Sequence, residues 1–326
     1  MENKSWIGVA VLSLVMQLAG QSLPAKKPNQ MRLAVAQDGS LRKYANCERL
    51  ISWQSGHLLG YEFNQTRSPR ICLLDKFGRL ERLNFSLPEA AIVQIDALAL
   101  SQGGELAVSG AAVRDDGAVS GFISRISLDR RSQRVTQVGR YAPEVLTFGP
   151  DRNIWTIGWI RDDQDRIIEN NIMRRYDSSG AVLSSVRVKV KPVVFTGDAT
   201  NQSSLVASKD RVAWLTRSNE YFEFASDGSE IMHVPGPIES DRDLIGLVAG
   251  LGVDWDTNRV VGLIGFERSE MVLALFDRQS RNWSPIDLSA TALRFAWLLG
   301  LTGESVMITT DRQSCYEYKL EPVTVR

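Results

Sequence analysis

The sequence predicts an all-β fold, a six-bladed β-propeller of four-stranded antiparallel blades occupying residues 31–326 as one domain. Three observations carry this. A tight turn rich in Gly, Asn and Asp recurs six times at a near-constant interval, a second turn follows it in five of the six units, and no long stretch after residue 30 has a helical period. Repeats of about 40–50 residues, each a small meander, are the signature of propellers.

The first turn series reads Ser55-Gly56-His57, Gln102-Gly103-Gly104, Asp151-Arg152-Asn153, Lys209-Asp210-Arg211, Thr257-Asn258-Arg259 and Thr302-Gly303-Glu304. Its middle residues are spaced by 47, 49, 58, 48 and 45 positions. Gly, Asn and Asp suit such turns because they accept positive φ or close the turn with their own side chain. A β-branched or aromatic run follows each one, at 58–63, 106–113, 154–160, 212–216, 260–266 and 305–309.

The second series falls at 75–78 (DKFG), 129–132 (DRRS), 177–180 (DSSG), 226–229 (SDGS) and 277–280 (DRQS), and the sixth unit lacks a clear member. Each unit therefore reads as strand, turn, strand, longer loop, strand, turn, strand. One such sheet is marginal alone, whereas six around an axis cover one another. About 280 residues at about 50 per blade leave no room for a seventh. Ring closure needs an outer strand for the last blade. Residues 31–36 (MRLAVA) are favoured for it over residues 323–325.

The N-terminus differs from the rest. Lys4 and Ser5 precede an apolar stretch at 6–20 broken by Ser13 and Gln17, and polar sequence follows. One cation, an apolar core and a small Gly20 read as a signal peptide at 1–20 with a linker at 21–30, hence a secreted or periplasmic protein. The alternatives are an uncleaved anchor, although the stretch is shorter than the roughly 20 apolar residues of a membrane span, and a cytosolic protein with an apolar first strand.

The 326 residues carry 38 basic and 38 acidic side chains with no long basic run, which argues against nucleic-acid or anionic-membrane partners. Cys47, Cys72 and Cys315 form no CxxC pair and adjoin no histidine, so no zinc site is expected. Cys47 and Cys72 are assigned to the inner and third strands of blade one. Non-adjacent strands lie about 10 Å apart, too far for a disulfide.

The segments FGPDRNIWTIG and GVDWDTNRVVGLI resemble the first hairpin of six-bladed propellers of the NHL, TolB-like and gluconolactonase-like group. The resemblance is one of fold and covers most of residues 47–320. A gluconolactonase-like activity would imply a divalent cation in the central channel, held by carboxylates and an amide. Asp96, Glu144, Asp198, Asn201 and Asp243, on loops entering the inner strands, are candidates by position, but read more simply as polar loop residues.

Other chemistry is sparse. The two histidines, His57 in a turn and His233 in a fourth strand, are far apart, and no GxSxG elbow is present. Asp254, Asp256 and Asn258 have calcium-loop spacing, but Arg259 and Gly265 stand where that loop needs Gly and an acid, so the segment reads as a repeat turn. The RDDQDRIIE run at 161–169 likewise reads as a solvated hairpin loop.

One feature is less generic. An arginine follows the second strand of every unit: Arg67, Arg114, Arg161, Arg217, Arg268 and Arg312, at offsets of 11, 11, 9, 7, 10 and 9 from the first turn. Asp115, Asp116, Asp162, Asp163, Glu267 and Asp311 accompany them. Such loops share one face of a propeller, set away from its axis. The expected function is accordingly an exported binding module that presents this arginine-bearing face to a protein, peptide or glycan, with no cofactor. The alternative is a metal-dependent hydrolase of lactonase type at the central channel.

Overall fold

The computed structural model describes residues 31–34, 42–45, 47–129, 132–164, 166–191, 204–237, 246–266, 271–289 and 296–323. Residues 1–20 and 21–30, expected to be a signal peptide and a linker, and Arg268 lie outside the described residues.

Two short strands come first, β1 (Met31–Ala34) and β2 (Arg42–Ala45). Blade one follows as β3 (Arg49–Gln54), β4 (His57–Glu62), β5 (Arg70–Asp75) and β6 (Leu80–Asn84). Blade two is β7 (Ala90–Leu100), β8 (Glu105–Arg114), β9 (Val119–Ser127) and β10 (Ser132–Gly139). Blade three is β11 (Tyr141–Phe148), β12 (Ile154–Arg161), β13 (Ile167–Tyr176) and β14 (Val182–Arg187). Blade four is β15 (Ser204–Ala207), β16 (Arg211–Leu215), β17 (Glu220–Ala225) and β18 (Glu230–Pro235). Blade five is β19 (Gly246–Val253), β20 (Val260–Phe266), β21 (Met271–Asp277) and β22 (Asn282–Pro285). Blade six contributes β23 (Trp297–Thr302), β24 (Ser305–Thr309) and the long β25 (Ser314–Pro322). All pairings within blades are antiparallel, and the first strands contact one another in ring order.

Both turn series fall where the sequence puts them. The first joins strands one and two of each blade, and the second joins strands three and four. The carboxylates of the second series close their own turns. Asp75 Oδ1 accepts the Phe77 and Arg79 amides, Asp177 those of Ser179 and Ala181, Asp227 that of Ser229 and Asp277 that of Gln279. These bonds hold the four carboxyls below their usual range.

The absent sixth member has a physical reason: blade six takes its outer strand from the N-terminus. Strand β1 pairs antiparallel with the end of β25, Leu33 against Leu320, and β2 pairs with its beginning, Tyr44 against Cys315. Leu33 is fully buried, and its amide donates to Asp287 O at the end of blade five.

Six apolar clusters fill the six seams between blades. Leu59 and Ile71 meet Ile95 and Leu106, Ile123 meets Phe148 and Tyr176, and Trp155 meets Trp214. Tyr221 meets Phe276, Val261 meets Val306 and Leu33, and Trp53 meets Met307 and Cys315. Each large side chain so buried contributes about 1.5–3 kcal/mol.

Charged groups lock the seams on the first-turn face. Arg125 of blade two donates to Arg152 O and Asp177 O of blade three, and Arg175 donates to Asp227 O of blade four. At the matching register of blade four stands an acid, Glu223, fully buried and held by Arg211, by Tyr221 Oη and by Arg278 of blade five. Asp254 Oδ2 accepts the Gly303 amide of blade six while its Oδ1 closes its own turn through Thr257. The DWDTN segment is thus a turn whose first carboxylate also joins two blades.

The placement of Cys47 needs a correction. All three are free, buried and packed in the seam between blades six and one. Cys47 precedes β3 rather than lying in it, and strand spacing does not separate it from Cys72. Gly60 is the residue paired with Cys72, and a Cβ there would stand 2.6 Å from Cys47 Sγ. The missing side chain leaves the two thiols facing each other across the middle strand, while Cys47 Sγ donates to Tyr61 O at 3.3 Å. The neighbouring Cys47 thiol, with burial, raises the Cys72 thiol far above its usual range.

Candidate functional site

The first strands of the blades surround a cavity of about 1590 Å³ that opens on the face opposite the first-series turns. What reaches into it is set by a recurring irregularity. In β3, β7, β11, β19 and β23 one extra residue interrupts the ladder to the second strand: Ile51, Asp96, Glu144, Ala249 and Leu299. A bulge of this kind re-aims a side chain. Four of these residues, Ile51, Asp96, Glu144 and Leu299, line the cavity.

Glycines make the bulges possible. Gly60, Gly110 and Gly158 stand opposite the residue before the bulge in blades one to three. A Cβ on Gly110 would lie 1.8 Å from Gln94 O, and one on Gly158 would lie 2.0 Å from Ala142 O. In blades five and six the glycine follows the bulge instead, where Gly250 packs on Leu298 O and Gly300 on Trp53 O of the next blade.

Asp96 and Glu144 therefore sit within inner strands, not on the loops before them, and both face the cavity. Asp198, Asn201 and Asp243 lie outside the described residues. Asp96 accepts a hydrogen bond from Gln94 Nε2 at 2.7 Å. Burial drives its pKa up to about 6, against the lowering pull of that bond and of Arg161 and Arg49. Glu144 is ion-paired to Arg217 across the gap between blades three and four. Among the described residues no three His, Cys, Asp or Glu side chains come close enough to hold a metal ion.

The five described members of the arginine series all follow second strands at the cavity end of the ring, but they divide into two sets. Arg67 is exposed, and Arg114 is ion-paired to Asp116 at 3.2 Å with both partners largely in solvent. Arg161, Arg217 and Arg312 line the cavity, which corrects the expectation that these loops stand clear of the axis. The cavity is wide enough at its mouth for second-strand ends to reach its wall. Arg161 lies over the Trp159 ring at 5.8 Å and Arg312 over the Trp297 ring at 4.2 Å.

Sequence reasoning missed Arg49, Tyr61, Trp159 and Trp297, which complete the mouth. The second-strand glycines, spaced by 50 and 48 residues, were the available signal for where the inner wall bulges. His57 begins β4, with its Nδ1 on Ser55 O, and is remote from this site. His233 lies in the fourth strand of blade four as expected, paired with the buried Glu220 at 2.8 Å and stacked on Phe222.

No protein-family model and no curated protein matches the chain. Solved structures with similar architecture include the Neurospora crassa Pan2 WD40 domain, at TM-score 0.49 and 12% identity over 86% of this chain and 76% of that one. A chain of the mitotic checkpoint complex gives TM-score 0.47 and 10% identity over 86% and 95% of the two chains. BBS1N from its complex with ARL6DN gives 0.47 and 11% over 84% and 78%. The fold expected from the NHL, TolB-like and gluconolactonase-like resemblance is present, and no family model attaches the chain to that group.

Proposed function

We propose that this propeller is an exported interaction module that receives a peptide segment of a partner protein at the mouth of its central cavity. The observation that carries the reading is the cavity itself, whose volume of about 1590 Å³ exceeds the roughly 300–1,000 Å³ of small-molecule pockets. Its wall mixes Asp96 and Glu144 with Arg49, Arg161, Arg217 and Arg312, the pattern suited to a polar chain of mixed charge. A peptide is favoured over a glycan because the mouth tryptophans Trp159 and Trp297 each carry a guanidinium over one ring face, where a sugar would stack. Export rests on the 1–20 sequence alone. A lactonase reading has weaker support, since Glu144 is already neutralised by Arg217.

Photo-crosslinking residues placed at Gln65 and Asn170, exposed at the mouth, test this against Phe77 and Ser179 on the opposite face. Adducts with a defined protein from the two mouth positions and none from the other two are expected. Adducts from Phe77 or Ser179 alone would overturn the reading.

A further inference from the structure

The charged groups of the mouth are mostly matched. Arg217 is paired with Glu144, Arg140 with Asp163 and Arg166 with Asp162. Arg49, at the start of blade one, and Arg312, before the third strand of blade six, are partly buried without such a match, whereas Arg187 and Lys191, which also line the cavity without an ion pair among the described residues, are exposed. Arg49 and Arg312 both line the cavity, and neither has a carboxylate within 4.0 Å among the described residues.

The carboxylates nearest to them in sequence are committed elsewhere. Glu48 Oε2 accepts the Phe63 amide at 2.6 Å. Asp311 Oδ1 accepts the amides of Gln313 and Ser314 at 2.8 and 2.7 Å. The two arginines are held beside each other across the seam, with the Leu50 amide donating to Arg312 O at 2.6 Å. Arg312 adopts φ +60°, a conformation rare for side chains of its kind, and its guanidinium is fixed on Trp297. Burial, then the Arg49 charge, pushes the Arg312 pKa down to about 10. Two like charges kept together in a partly dry place are unfavourable until an anion joins them.

We propose that Arg49 and Arg312 form a carboxylate-binding subsite at the seam of blades six and one, which takes an Asp or Glu side chain or a C-terminal carboxylate of the peptide. This rests on the peptide reading above. The planar guanidinium fork matches a carboxylate through two parallel hydrogen bonds. Stacking on Trp297 leaves the guanidinium edge of Arg312 as its donor surface. A carboxylate suits the site better than a phosphate, because Asp96 acts on Arg49 electrostatically and reduces the field available to a dianion.

The test is an array of random hexapeptides in matched pairs, Glu against Gln and Asp against Asn, with amidated C-termini, plus a set with free C-termini. The full chain is probed as wild type, Arg49→Gln, Arg312→Asn and the control Arg67→Gln. Asn tolerates the positive φ at 312. Wild type and the control are expected to retain acidic peptides, or free C-termini, at least about tenfold over their neutral mates. Either cavity variant should bring that ratio near one while neutral peptides bind unchanged. Retention of peptides by wild type with no acidic preference would overturn the subsite and leave the peptide reading standing. No retention by wild type would overturn both. Competition by inorganic phosphate where acetate has no effect would overturn the carboxylate assignment.

Discussion

Replacing Asp96 by Asn should stabilise the propeller at neutral pH, by an amount that grows in a defined pH window. Its carboxyl, turned into the cavity by the β7 bulge, has a pKa raised from 3.8 to about 6, chiefly by burial. At about 1.36 kcal/mol per pKa unit, this makes the ionised form about 3 kcal/mol less favourable in the folded chain than in the unfolded one. The folded state binds the proton more tightly, so the stabilising contribution is complete below pH 3.8 and is lost as pH rises through about 6. Asn does not titrate. Urea denaturation of wild type and Asp96→Asn at a series of pH values isolates the group, since every other titration cancels in the difference. The variant's advantage should rise by about 2.4 kcal/mol between about pH 4 and about pH 7. Parallel stability curves across that window would refute the reasoning. A carboxylate kept at such a position is consistent with a role in the cavity rather than in folding.

Gly110→Ala should cost about 2–3 kcal/mol in urea denaturation, because its Cβ would lie 1.8 Å from Gln94 O and force the bulge open; an unchanged midpoint would remove the proposed basis of the bulge. Glu223→Gln should cost about 3–5 kcal/mol by leaving Arg211 and Arg278 without their shared anion. Leu33→Ala should cost about 2–5 kcal/mol if β1 closes the ring as described, and no loss would exclude that closure. The second-series turn aspartates, held below the usual carboxylate range, add stability above that range that is lost as pH falls through their folded values. Asp177→Asn should therefore flatten the acid limb of the stability curve.

The turns were legible because their chemistry is local. Gly56 and Gly303 supply positive φ, and Asp75, Asp177 and Asp227 cap the loops that follow them, so each residue type explains its own position. The six blades and the N-terminal closing strand followed from counting those turns. The cavity wall was not legible, because a bulge depends on how closely two backbones approach. Asp96 and Glu144 looked like loop residues, since the extra residue that aims them inward leaves no mark on strand alternation. Arg161, Arg217 and Arg312, at offsets of 9, 7 and 9 from the first turn, reach the wall, whereas Arg67 and Arg114, at 11, lie further along their loops and do not. The contact between Cys47 and Cys72 depends on the absent side chain of Gly60, a third residue on a strand between them.

The mouth as the binding face is tested most directly by amide hydrogen exchange of the full chain, alone and saturated with a peptide selected on the array. Bound peptide should slow exchange at 61–66, 92–96, 159–162 and 216–218, the segments that line the cavity opening. Slowed exchange confined to the first-series turns around Gly56, Gly104 and Asn258, or to the outer strands β6, β10 and β14, would contradict it.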